Sequence, residues 1–313
     1  MSWKTLVIKD YDKLTLKNNN LLVSSLKANK QEVKVSIDTL NCVIIENSYT
    51  LFSMQLINIL INNNVLVIVS DDKHDPNVVM LPLSSHCMPL VNLELQLKIT
   101  KDLKEKIWTK IIYNKIFNQI EIMKELITDQ TVIERCEQQM ITMNHNDQNN
   151  REGIVAKMFF HALYGTNFIR FADDQINSAL NYGYKIISSA LSRTIAKYGL
   201  NLFIGVHHIG RSNPFNLTYD LIEPYRPIVD RWVFQNKNYL QYGSDLSYLN
   251  RLSLIKLLNK HVIIDHKVMT VNSSFNVYVK SFISALKYHD SSKIKNLTII
   301  EEASIIQDQI INE

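Results

Sequence analysis

Cysteine is scarce in this chain. Among 313 residues there are three, Cys42, Cys87 and Cys136, far apart and in no C-x-x-C pair. That pattern excludes a disulfide framework and a zinc ribbon, and points to a reducing, cytoplasmic setting. Long apolar runs are missing as well. None nears the roughly 18 residues of a membrane span, so no membrane partner is expected. Lys4, Lys9 and Asp10 interrupt any early apolar run, and no signal peptide is expected. The Walker pattern, G-x-G-x-x-G, G-x-S-x-G and H-E-x-x-H are all absent, which removes the enzyme classes those motifs announce. There is no internal repeat and no low-complexity block. The stretch from Glu301 to Glu313 has four acidic residues and no basic one. It reads as exposed and non-essential.

What is present fits a globular protein. A hydrophobic content of 46% over this length can form one large core or two smaller ones. The net charge of +4 allows nucleic acid as a partner without requiring it. Its distribution says more. Between Arg151 and Arg231 nine Lys/Arg face six Asp/Glu. Three of the six, Glu152, Asp220 and Glu223, are candidate metal-site residues. With these neutralised, nine cations face three carboxylates, a phosphate-attracting surface. The plain alternative is a solvated helix face of mixed charge.

The chain opens on short strands. Leu6–Ile8, Leu14–Leu16, Leu21–Val23 and Val33–Ile37 are separated by polar turns, and Asn18-Asn19-Asn20 suits a hairpin because Asn tolerates positive φ. Cys42–Ile45 reads as a buried strand, Ser53–Asn62 as a short helix, Val65–Val69 as a following strand, and Asp71–His74 as a charged turn. Pro76–Asn92, with three prolines, reads as an irregular connection. From about Leu93 the pattern is helical. Leu103, Ile107, Ile111, Ile116, Ile120, Met123 and Ile127 mark one buried stripe, with the lysines on other faces. A helix carrying Glu152 is expected after the polar loop Met143–Asn149, with Asp147 or Asn149 as N-cap. Further helices are expected over Asp173–Tyr198 and from about Asp220, the latter irregular at Pro224 and Pro227. The expected class is α+β: a small β-rich N-terminal domain over 1–90, then a larger all-α catalytic domain over 91–313.

The chemistry gathers in Gly205–Asp230 and Asn150–Lys157. His208, Asp220, Glu223 and Glu152 supply one imidazole and three carboxylates. Such donors hold a hard divalent ion and leave positions for water or phosphate oxygens, which suits phosphodiester chemistry. Each has a plain reading beside it. Glu152 in a first helical turn complements the helix dipole. D-x-x-E before an apolar run is a capping box, with Asp220 on backbone N–H groups. A capped helix start is also rigid enough to hold a ligand in place. If Leu202–Val206 is extended, the rings of His207 and His208 point in opposite directions and only one faces the site. Arg151, Arg211 and Arg226 are candidates for DNA phosphate contacts, since a guanidinium matches phosphate oxygens with paired donors. Tyr182 and Tyr184 suit either core packing or stacking on bases.

Three motifs then carry a resemblance. NREG-x-x-AK at Asn150–Lys157, NSALNYGY at Asn177–Tyr184, and G-x-x-H ending at His208 with D-x-x-E-P-Y-R-P from Asp220 resemble the spacer-acquisition integrases of CRISPR systems, the Cas-one family. The opening MSWKT and the DDKH at Asp71–His74 resemble its type II-A branch. The resemblance runs from Met1 to about Asp290. It implies that Glu152, His208 and Glu223 are catalytic ligands of Mg²⁺ or Mn²⁺, with His207 structural and Asp220 supporting the ligands from behind. Some relatives carry Asp where Glu223 stands. It also implies a homodimer joined largely through the β-rich domains, and a larger complex bridged by a dimer of the small partner Cas-two. In the type II-A branch the effector nuclease and a ring-forming DNA-end protein join acquisition. The implied reaction is attack of a captured DNA fragment's 3′-hydroxyl on a phosphodiester at a CRISPR repeat border. A transposon-type integrase, a plain metal-dependent nuclease and a non-catalytic DNA-end-binding scaffold are the alternatives.

Overall fold

A computed structural model describes residues 4–11, 13–25, 31–82, 89–127, 129–240 and 246–299. Cys87 and the acidic stretch from 301 lie outside the described residues. The chain begins with strands β1 (Lys4–Ile8), β2 (Lys13–Lys17), β3 (Asn20–Ser24), β4 (Val33–Ser36), β5 (Leu40–Ile45) and the short β6 (Leu51–Phe52). Helix α1 (Met54–Asn62) follows, then β7 (Leu66–Ser70) and β8 (Pro76–Met80). The β2–β3 hairpin turns on Asn18 and Asn19, whose φ values of 49° and 57° are ones asparagine tolerates. Ser53 caps α1 by accepting the Leu56 N–H at 3.2 Å.

The strands form two sheets, in the orders β1-β5-β7-β8 and β4-β3-β2-β6. Side chains alternate across β5 and β7, and this alternation joins two cores. Val43, Ile45 and Val67 pack with Leu14, Leu21, Leu56 and Leu60 toward the second sheet and α1. Cys42, Ile44, Leu66 and Ile68 point the other way, into the core built by the helices.

The region expected to be an irregular connection is more ordered than its prolines suggested. Pro76–Met80 is β8, antiparallel to β7, and Pro89–Leu97 is helix α2. Both prolines stand at the first residue of their element, Pro76 on an outer strand of its sheet, where a missing N–H costs no internal hydrogen bond.

Among the described residues, the α-helices that follow are α3 (Lys101–Leu126), α4 (Gln130–Ile141), α5 (Arg151–Tyr164), α6 (Gln175–Lys197), α7 (Asn216–Leu221), α8 (Arg226–Gln235) and α9 (Tyr248–Ile255). Then come β9 (His261–Ile264), β10 (Lys267–Thr270), α10 (Val271–Tyr288) and β11 (Leu297–Ile299). The α+β class stands. The expectation of an all-α second part is corrected: it is mostly helical, but β10, β9 and β11 form an antiparallel sheet packed beside α3 and α10. The stripe of α3 is buried as its period required, from Leu103 through Met123. α6 starts at Asp174, which accepts the Asn177 N–H at 2.7 Å.

A buried ion pair fastens the N-terminal sheet to the helices. Arg251 on α9 donates from Nε and Nη2 to the two carboxylate oxygens of Glu46, each at 2.8 Å. Arg193 on α6 does similar service, donating to the carbonyls of Asn41 and Asn64 and to the side chain of Asn272.

Candidate active site

Glu152 lies in the first turn of α5. That helix start is set by the Asp147 carboxylate, which accepts the N–H groups of Arg151 at 2.7 Å and Glu152 at 3.1 Å. Asn150 occupies the N-cap position in the left-handed region, with φ of 49°. Asn149, the other candidate cap, instead ties the preceding loop to Thr142 and Asn144.

Glu223 sits in a 3-10 turn, Glu223–Tyr225, between α7 and α8. Pro224 lies in this turn, where the regular helix is interrupted as expected, and Pro227 stands in the first turn of α8, where its missing N–H is tolerated. Asn118 on α3 takes up the carbonyl of Pro224 with a bond of 3.1 Å, and Arg226 Nε donates to Glu223 Oε1 at 2.9 Å.

Asp220 corrects two expectations. The helix begins at Asn216, so Asp220 lies within α7 and is no N-cap. Its carboxylate turns outward from that helix and caps a loop. The N–H groups of Val206 and His207 donate to Oδ2 at 2.5 and 3.1 Å, and that of His208 to Oδ1 at 3.0 Å. Nor is Leu202–Val206 a strand. A strand needs a neighbour for its backbone groups; here one buried carboxylate takes that place. Gly205 makes the close approach possible. A Cβ there would meet Asp220 Oδ2 at 2.7 Å and collide with the His208 carbonyl.

The two histidine rings part company on this loop. His208 Nδ1 is 2.7 Å from Asp220 Oδ1. The His207 ring stacks on Trp108, centroids 4.0 Å apart and planes 3° from parallel. Their protonation diverges accordingly. The Asp220 hydrogen bond, against burial, raises the His208 pKa above the ordinary histidine value. Burial lowers that of His207.

At the centre stands a residue that the sequence reading placed on an outer face. Lys115 of α3 is 8% exposed. Its Nζ is 2.5 Å from Glu152 Oε1 and 2.6 Å from Glu223 Oε2. Burial works against the ammonium, but Glu223 and Glu152 outweigh it and raise its pKa. Burial also pushes the Glu223 carboxyl up; Arg226 and Lys115 more than reverse that and bring it down to about 2. The Lys115 contact is an ion pair off the hydrogen-bond axis, and Glu223 Oε2 is buried without an aligned donor.

These groups open on a cleft of about 550 Å³ whose lining includes Lys115, Glu152, Arg170, Tyr184, Glu223, Arg226 and Asp230. Asp75 and Lys185 also line it and pair at 2.7 Å. The structure therefore brings Glu152 and Glu223 onto one cation. His208 does not line the cleft, but its ring lies 6.3 Å from that of Tyr219, which does. Among the described residues no three His, Cys, Asp or Glu side chains stand close enough together to hold a metal ion.

The candidate phosphate contacts separate. Arg211 is exposed. Arg226 lines the cleft, but through Glu223 and the Tyr184 ring, whose centroid is 4.7 Å from the guanidinium carbon. Arg151 is turned away, donating to Gln139 Oε1 at 2.5 Å. The count of nine cations thus overstates the free positive surface, since Arg193 is buried and Arg231 faces Glu125 at 3.2 Å. Tyr182 is fully buried and packs in the core. Tyr184 is nearly so, and its hydroxyl donates to Asp230.

Comparison with known proteins agrees with this architecture. The family described as "CRISPR associated protein Cas1" matches residues 6–260. A relative from Neisseria meningitidis serogroup C, named CRISPR-associated endonuclease Cas1, is 30% identical over 295 residues, covering 94% of this chain and 96% of its own. Among solved structures, a casposase bound to integration product superposes with a TM-score of 0.73 at 19% identity, covering 98% of each chain. A Cas1 protein from Thermotoga maritima gives a TM-score of 0.71 at 11% identity, over 91% of this chain and 97% of its own. Both share the fold. No helix among the described residues is long and apolar enough to cross a membrane.

Proposed function

The chain belongs to the Cas1 family of CRISPR-associated proteins, and on that premise we propose that it is a metal-dependent DNA integrase of spacer acquisition. The observation that carries the reading is the convergence of Glu152 and Glu223 on a single cation, in a cleft also lined by Arg170 and Arg226. A captured DNA fragment presents a 3′-hydroxyl. Its oxygen attacks a phosphodiester phosphorus at the border of a CRISPR repeat. One P–O bond forms, the original strand's P–O bond breaks, and the departing 3′ oxygen takes a proton. A second subunit attacks the opposite strand. The names of the relatives support this direction: one is called an endonuclease, and the casposase is bound to an integration product.

Two of the residues, Glu152 and Glu223, converge on one point in a way that fits Mg²⁺ or Mn²⁺. Glu223 Oε2 is buried without an aligned donor, and the Lys115 ammonium stands in for a cation between the carboxylates. His208 is held through Nδ1, which leaves Nε2 for a ligand in the way metal-bound histidines are held by a carboxylate. Glu152 and Glu223 would hold the ion, with His208, which stands outside the cleft in this structure, as the third ligand on this reading. Bound there, it polarises the phosphoryl oxygen, lowers the pKa of the attacking hydroxyl and stabilises the leaving oxygen. The chain's other groups position. Asp220 fixes the His208 ring, Arg226 and Asn118 fix the turn that bears Glu223, and Asp147 fixes the start of α5.

The same reading makes the protein a prokaryotic cytoplasmic one, a homodimer joined through its β-rich residues 1–90, and a member of a complex bridged by a Cas-two dimer. Association with the effector nuclease and the DNA-end ring protein belongs to this proposal too. Support for the bridge is a structural neighbour titled a Cas6-RT-Cas1–Cas2 complex, matched with a TM-score of 0.71 over 96% of this chain and 36% of that one.

The product tests the function. DNA with free 3′-hydroxyls, a repeat target, Mn²⁺ and the small partner should give branched, joined strands, and ends lacking the 3′-hydroxyl should give none. Equal cutting of the target with blocked ends, and no joining, would make the protein a nuclease. No covalent change in either case would leave a scaffold.

A further inference from the structure

We propose that Lys115 is a built-in counter-cation of this site: its ammonium holds the place between Glu152 and Glu223 that a divalent ion takes, and leaves that place when the ion binds. The inference rests on reading the two carboxylates as ligands. The oxygens in question, Glu152 Oε1 and Glu223 Oε2, are the two that Lys115 Nζ touches at 2.5 and 2.6 Å. An ammonium and a divalent ion cannot share them, because like charges at that range repel strongly in a half-dry site.

The backbone of Lys115 is well fixed. One residue before it, Asn114 exchanges hydrogen bonds with the carbonyl and N–H of Leu297 at 2.7 and 2.8 Å. Three residues after it, Asn118 holds the carbonyl of Pro224. The helix therefore stays in place and the movable part is the side chain, a flexible four-carbon stem with a compact charge. Room for it exists, since Lys115 itself lines the 550 Å³ cleft. A side chain swung into that cleft leaves both carboxylates in position.

This arrangement has a use. Two carboxylates aimed at one point repel each other when the point is empty. The ammonium keeps them converged without a metal, so the site is shaped before the ion arrives. It also sets a threshold. If the ammonium occupies the position about nine-tenths of the time, the apparent metal affinity falls about tenfold. Phosphodiester chemistry is then held off until metal is plentiful.

Mn²⁺ binding to the full chain, followed by electron paramagnetic resonance, tests this without reading activity. The proteins are wild type, Lys115→Met and Glu152→Gln. Lys115→Met should bind Mn²⁺ about tenfold more tightly than wild type, and Glu152→Gln more weakly. A second measurement needs no variant. Labelling of Lys115 by an amine-acylating reagent, read by peptide mass spectrometry, should rise when Mn²⁺ is added. If wild type binds Mn²⁺ and loses affinity in Glu152→Gln, but Lys115→Met binds no more tightly or labelling of Lys115 does not rise, the counter-cation role is overturned while the metal site stands. If neither wild type nor Lys115→Met binds Mn²⁺, the metal reading fails and this inference fails with it.

Discussion

His208 Nδ1 and Asp220 Oδ1 lie 2.7 Å apart, and the same oxygen accepts the backbone N–H of His208 at 3.0 Å. With Oδ2 on the N–H groups of Val206 and His207, one fully buried carboxylate orders a loop and orients the ring that this loop delivers. The loop's structure thus depends on this side chain, and on the proposed reading the chemistry does too.

Asp220→Asn should separate the two roles only in part. The amide keeps the shape but turns one acceptor into a donor facing N–H groups. A stability loss of about 1–3 kcal/mol is expected from the group left unsatisfied, together with severe loss of strand transfer. Urea denaturation and an integration assay on the same preparation check it. Wild-type stability in this variant would mean that the loop holds itself without the carboxylate.

Glu152→Ala, His208→Ala and Glu223→Ala should each abolish strand transfer while the protein stays folded, since each removes a proposed ligand. His207→Ala should be far milder. Its cost is the lost stack on Trp108, about 0.5–1.5 kcal/mol. Unchanged integration by a folded Glu152, His208 or Glu223 variant would take that residue out of the site. A dead His207→Ala would mean that the wrong ring was assigned.

Local rules made much of this legible. The Asn18-Asn19 turn, the helices expected over Ser53–Asn62 and Asp173–Tyr198, the buried run of β5 and the stripe of α3 follow from propensity and period, which neighbours in sequence decide. Lys115 did not follow. A lysine beside an apolar stripe ordinarily faces water, and what buries this one is Glu152 and Glu223, which the fold alone brings near. The capping-box reading of Asp220 failed for a related reason. D-x-x-E is a local helix signal, whereas its donors lie 12 to 14 residues back on the loop. The sheet of β9, β10 and β11 escaped because its strands have only four, four and three residues.

Arg211 and Arg226 should now behave differently toward DNA. Arg211 is exposed, so Arg211→Ala should weaken binding across sequences, flatten the log–log salt slope by about one and leave folding untouched. Arg226 holds Glu223, so Arg226→Ala should also lower stability and strand transfer. Titrations of labelled duplex at several salt concentrations, with melting curves alongside, distinguish them. Sequence-selective loss in Arg211→Ala would point to base reading.

Asp230 offers a test of the cleft by pH alone. Burial raises its carboxyl to about 6 from an ordinary 3.8, against the Tyr184 hydroxyl bond and the charges of Lys115, Arg226 and Arg170. A carboxyl raised on folding binds more protons in the folded than in the unfolded chain between those two values. Stability must then fall as pH rises from about 4 to 6, and above 6 the ionised group is a net burden of up to about 3 kcal/mol. Asp230→Asn carries no such charge, and its carbonyl still accepts from Tyr184. It should match or exceed wild-type stability at pH 8 and lose that advantage toward pH 4.5. Glu223 does not blur this window. Its carboxyl is depressed from 4.5 to about 2, so its contribution is complete above the ordinary carboxylate range and is lost only as pH falls below it. Chemical denaturation of both proteins from pH 4.5 to 8 decides the matter. Parallel curves would show that Asp230 titrates alike in the folded and unfolded chain, and that the cleft floor bears no strained charge.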